Sequence, residues 1–175
     1  MIEVELTDPH HVTVGYVGEP GRRTFHVQAE DLTERVTLVL EKEQVAALGE
    51  LLAQLLVRID DGPVTDWDRS AMALREPVEP RWRVGEISVG YDPDADRFLL
   101  EFGEFVPDLE AVDVDELDPR EVRFDTDRDQ ARRLAAHALE IVGQGRPRCQ
   151  LCGRPTALDG THVCPATNGH GRLPG

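Results

Sequence analysis

No apolar run in this 175-residue chain approaches the roughly 20 residues a helix needs to cross a bilayer, so no membrane-spanning helix is expected. The opening Met1-Ile2-Glu3-Val4-Glu5-Leu6 has neither a basic region nor an apolar segment, and no secretory signal is read from it. Aromatic residues are scarce at 5%, so the core must come mainly from Val, Leu, Ile and Ala. Positive charge is scarce as well. Lys and Arg total 19 against 34 Asp and Glu, and the formal charge of −15 disfavours broad contact with nucleic acid or an anionic membrane. Cysteine occurs three times, all within one short stretch near the end. Clustered thiols without an export signal point to the reducing cytoplasm.

Those three cysteines read Cys149-Gln-Leu-Cys152-Gly153, then His162-Val-Cys164-Pro165. A C-x2-C pair followed by H-x-C is a metal-ligand spacing. Gly153 supplies the turn of a knuckle, and the set closes a tetrahedral S/N site of the kind Zn2+ prefers. A redox C-x-x-C or three unrelated thiols are the alternatives. The expected ligands are Cys149, Cys152, His162 and Cys164, with His170 as the other candidate for the histidine. Four protein ligands leave no open position for water, which makes the zinc structural. The tail has too few hydrophobic residues to order itself by burial, so the metal would supply its folding energy. Arg146, Arg148, Arg154 and Arg172 make it locally basic beside an acidic body.

The body is written in two similar halves, about 1–60 and 80–145, joined by a loop-rich segment 61–79. Val12-Thr-Val14-Gly15-Tyr16 has a counterpart in Ile87-Ser-Val89-Gly90-Tyr91. Each run alternates like a strand and is followed by a turn and a returning strand, Thr24–Gln28 or Arg97–Phe102. A third strand, Val36–Leu40 or Val122–Phe124, then leads into a helix. The apolar stripes Val45, Leu48, Leu52, Leu55, Leu56 and Ala131, Leu134, Ala138, Ile141, Val142 carry the helical period to about Ile59 and Val142. Thr126 is the expected N-cap of the second helix. The fold class is therefore α+β: duplicated βββα units, an antiparallel sheet with helices on one face, spanning 1–145, then a zinc-binding tail over 146–175.

Other chemistry-bearing residues are dispersed. Arg22 and Arg23 follow Gly18-Glu-Pro20-Gly21, which lacks Walker spacing and joins two strands, so it reads as a hairpin turn. Lys42 lies at a strand-to-helix junction. These three are candidate contacts for an anionic ligand. His10, His11, His26 and His137 have no assignable triad partners, and Asp113, Asp115 and Glu116 lack the spacing of a Ca2+ loop.

Several segments together resemble the actinobacterial family catalogued as domain of unknown function 3090. They are Gly18-Glu-Pro-Gly21 with Arg23-Thr24-Phe25; Leu40-Glu41-Lys42-Glu43-Gln44-Val45; Arg83-Val84-Gly85; Tyr91-Asp92-Pro93-Asp94-Ala-Asp96-Arg97; and Gln130-Ala131-Arg132. The tail adds Gly145-Arg146-Pro147, Cys149-Gln-Leu-Cys152-Gly153-Arg154-Pro155 and His162-Val-Cys164-Pro165. That family reads N-G-Y where this chain has Asn168-Gly169-His170, which favours His162 as the ligand. The resemblance implies a cytoplasmic protein without established activity, linked to a phosphomutase-like protein and a phosphatidylinositol-kinase-like protein. The resulting expectation is a non-enzymatic binding or adaptor protein whose zinc-stapled tail docks a protein partner. The alternative is an enzyme or enzyme subunit acting on a phosphorylated small molecule.

Overall fold

A computed structural model of the chain describes residues 1–59, 66–107, 118–144, 149–152 and 164–165. The elements run β1 (Ile2–Leu6), β2 (His11–Val17), β3 (Thr24–Glu30), β4 (Arg35–Leu40), α1 (Lys42–Arg58), β5 (Val84–Asp92), β6 (Arg97–Glu104), β7 (Glu121–Thr126) and α2 (Arg128–Gly143). Strands β2, β3 and β4 form one antiparallel sheet in that order, and the second sheet has the order β1-β7-β6-β5. Among the described residues the fold is mixed α+β with two sheets and two α-helices. A parallel bridge between Val39 and Arg83 connects the sheets. The expected purely antiparallel sheet is corrected, because β1 runs parallel to β7. Its alternation explains the placement: Val4 and Leu6 are buried while Glu5 between them is exposed, which suits a sheet with one apolar face.

Local chemistry sets the turns and caps. Gly18 and Gly21 take φ of 99° and 92°, a region open to glycine, and close the β2–β3 turn. The Asp92 carboxylate accepts from the Asp94 and Ala95 amides at 2.9 and 3.2 Å in the β5–β6 turn. At the start of α1, Gln44 Oε1 accepts from the Glu41 amide at 2.8 Å. The cap of α2 is Asp127, which accepts from the Gln130 amide at 2.7 Å. The expected cap, Thr126, instead ends β7 and is fully buried. A carboxylate at the cap also meets the positive end of the helix dipole, which favours Asp127 over its neighbour.

The helices cross closely at Gly49. A Cβ there would lie 3.0 Å from Leu139 Cγ and 3.1 Å from Ala138 Cβ. Val45, Leu48, Leu52, Leu134 and Ala138 join Val14, Val27 and Leu38 of the first sheet and Phe98, Phe102 and Phe124 of the second in one core.

The first sheet is covered on both faces. Its second face carries a polar row, Thr13, Gln28 and Thr37, in register across the three strands and buried. The segment 66–83 lies over that row. Thr13 Oγ1 donates to the Met72 carbonyl, and Gln28 holds the Arg75 backbone through both its carbonyl oxygen, at 2.8 Å, and its amide nitrogen, at 3.1 Å. The Arg81 amide donates to the Thr37 carbonyl at 2.9 Å, and the Val39 amide to the Trp82 carbonyl at 2.9 Å. The connection expected to be loop-rich has a 3-10 turn at Ser70–Met72, and its backbone is tied down along a sheet face. Buried polar strand residues are thus matched to backbone groups that no ladder satisfies.

Candidate metal centre and a basic cleft

All three cysteines fall among the described residues, and none of them is in a disulfide. Their Sγ atoms lie within 4.8 Å of one another, with Cys149 and Cys164 3.8 Å apart. A disulfide would need about 2.05 Å. A tetrahedral ion with metal–sulfur bonds of about 2.3 Å sets its sulfurs about 3.8 Å apart. The Leu151 amide donates to Cys149 Sγ at 3.4 Å, as the C-x2-C knuckle requires. Hydrogen bonds from the Cys152 backbone, then that of Leu151, hold the Cys149 thiol below the ordinary thiol range. That favours the thiolate, the form that ligates. Three thiols so placed can hold a metal ion. His162, His170 and the knuckle glycine Gly153 lie outside the described residues.

The three cationic candidates separate. Arg23 and Lys42 line one cleft of about 230 Å3, bounded by Thr24 and Phe25 of β3, Val39 and Leu40 of β4, Glu41 and Arg83. Arg22 is exposed and does not line it. The Arg23 guanidinium sits 3.9 Å from the Tyr16 ring centroid, and its Nη1 donates to the Gln144 carbonyl at 3.0 Å. Its Nε is buried without an acceptor among the described residues. Arg83 pairs with Glu41. Sequence reasoning missed Arg83, because the bridge between Val39 and Arg83 that brings it here has no local signature.

The family described as "Protein of unknown function (DUF3090)" matches residues 4–164, from β1 through the last cysteine. The chain belongs to this family. No curated protein and no solved structure matches it significantly. The DUF3090 match thus takes in the α+β body and the cysteine triad together.

The described histidines of this DUF3090 chain belong to the α+β body. His11 lines a cleft of about 280 Å3 with His10, Gln130 and Arg133, and its Nε2 lacks a hydrogen-bond partner among the described residues. Burial, reinforced by Arg75, pushes its pKa from 6.5 down to about 4. His137 lies in a groove of about 470 Å3 between α2 and the 66–83 segment, near Tyr16, Leu74 and an Arg69–Glu140 pair at 2.9 Å. Burial also lowers the pKa of His137 and of His26, so both are held neutral. No helix among the described residues is long and apolar enough to cross a membrane. Asp113, Asp115 and Glu116 lie outside the described residues.

Proposed function

We propose that this DUF3090 protein is a cytoplasmic, non-enzymatic binding protein whose zinc-stapled tail docks a protein partner. The observation that carries the metal reading is the 3.8 Å Cys149–Cys164 sulfur separation, the edge of a tetrahedral thiolate site. In this reading His162 completes the shell around Zn2+, with three soft thiolates and one imidazole. A closed shell of this type leaves the metal no vacant position, so its role is to order the tail. The tail then presents Arg146, Arg148 and Arg154 from a chain of net charge −15, a local sign reversal suited to an acidic partner surface. The phosphomutase-like and phosphatidylinositol-kinase-like proteins implied by the resemblance are the first partners to test. We also read β2-β3-β4-α1 and β5-β6-β7-α2 as one duplicated unit, supported by their shared order of meander then helix.

The test is elemental analysis followed by affinity capture. Purified protein should carry about one zinc per chain. His162→Ala, which removes one of the four ligands, should lower zinc retention, while His170→Ala should leave it unchanged. Metal-free wild type purified without chelator refutes the site. Zinc lost only from His170→Ala overturns the ligand assignment. A double variant, Cys149→Ser with Cys152→Ser, should release the partner while the body's helices persist; capture indifferent to the double variant refutes the docking role.

A further inference from the structure

The basic cleft shares no residue with the cysteine triad and has its own charge logic. In a chain of net charge −15, nearly every described arginine of the second sheet and of the 66–83 segment, the strap over the first sheet, is matched to a carboxylate, as in the pairs Arg97–Asp125, Arg123–Glu101 and Arg81–Glu3. The cleft departs from that pattern. Lys42, the chain's only lysine, is half-buried there and has no carboxylate partner among the described residues. Arg23 beside it has none either, and its Nε is a buried donor without an acceptor. Arg83 adds a third cation, offset by Glu41. The lining therefore sums to two uncompensated positive charges in a concavity of about 230 Å3. Water fills about 30 Å3 per molecule, so the space takes a tetrahedral oxyanion together with the first atoms of the group it esterifies.

We propose that this cleft binds the phosphate group of a small phosphorylated molecule. The tetrahedral anion offsets the two uncompensated cations, Lys42 and Arg23. Lys42 acts as a mobile point charge, while Arg23, held in place by Tyr16 and Gln144, supplies a fixed guanidinium charge. Lys42 also opens α1, and the field of the helix start adds to that of the side chains. The electrostatic setting supports the assignment further. A local positive cleft on an acidic body repels polyanions such as nucleic acid at longer range and admits a small anion.

The experiment titrates the full-length protein with inorganic phosphate and with acetate, followed by calorimetry and by 31P line broadening at fixed ionic strength. Phosphate should saturate a single site below about 10 mM, and acetate should bind at least about tenfold more weakly. Lys42→Gln lies at a helix start and leaves the core untouched; it should weaken phosphate at least about tenfold, the loss expected for one charge-assisted hydrogen bond. Arg22→Gln, outside the cleft, should change nothing. No saturable phosphate binding overturns the proposal. Affinity unchanged in Lys42→Gln, or acetate binding as tightly as phosphate, overturns it equally. Because the site shares no residue with the cysteine triad, loss of zinc leaves these outcomes intact and the two readings fail separately.

Discussion

Unfolding at pH 7 and pH 5 reports on His11. The residue is 6% exposed, Nε2 lacks a partner among the described residues, and burial, then Arg75, brings its pKa from 6.5 to about 4; Glu30 opposes this, while His10 and Arg35 add to it. Above pH 6.5 the ring is neutral in both the folded and the unfolded chain, and no stability is lost. As the pH falls from 6.5 towards 4, the unfolded chain takes up a proton that the folded chain does not, so stability declines. This one group should remove about 2 kcal/mol between pH 7 and pH 5, and about 3 kcal/mol by pH 4. Glu30, whose pKa the Arg35 hydrogen bond lowers from 4.5, adds its own loss as the pH falls below that value, outside the pH 7 to 5 interval of the assay. The assay is urea denaturation followed by circular dichroism, on wild type and on His11→Gln, at both pH values. The variant keeps His26, His137 and the cysteine triad, so their pH effects cancel between the two proteins. Wild type should lose about 2 kcal/mol more than the variant on acidification. Equal losses would refute the buried, neutral His11.

Two packing predictions follow from the same interior. Gly49→Val should destabilise the chain by about 2 kcal/mol despite the gain in helix propensity, because Ala138 Cβ and Leu139 Cγ already lie at 3.1 and 3.0 Å from the first added carbon. Thermal denaturation checks it, and an unchanged or raised midpoint would mean that the helices separate easily. Gln28→Leu should cost about 2–5 kcal/mol by leaving the Arg75 amide and carbonyl and the Thr37 hydroxyl without their partner. Hydrogen exchange should then quicken selectively at the Arg75 amide; protection equal to wild type there would contradict the tie between strap and sheet.

The strands and helices were legible wherever one face meets the core and the other meets water. Phe98, Leu100 and Phe102 alternate with less buried neighbours, and the α1 stripe keeps a helical period. In the first sheet the same alternation exists, Val12 and Val14 against Thr13, yet both faces are buried. Nothing in the residue types of Thr13, Gln28 and Thr37 separates a solvated face from one covered by a strap, so the cover was not foreseen. Strand β1 shows alternation, Ile2, Val4 and Leu6 against Glu3 and Glu5, but its partner Glu121–Phe124 is a matter of long-range pairing that no local pattern encodes. The cysteine triad was legible because ligand spacing is a local constraint. The cleft was half legible: Arg23 and Lys42 bracket two turns, whereas Arg83 reaches them through a sheet junction.

The β1–β7 pairing also sets the order in which the chain can be finished. Leu6 and Phe124 are register partners, so the ladder between them cannot form on a ribosome until almost the whole body has emerged. Until then Val4 and Leu6 lack their place in the core, and the near edge of the second sheet lacks its outer strand. Loop closure over such a span is slow, so β1 docks late although it precedes β7 by more than a hundred residues. The nascent protein therefore carries an unpaired, partly apolar segment until β7 has emerged. Glu3 and Glu5, placed between the apolar residues of that segment, give it the charge that discourages edge-to-edge association during the wait.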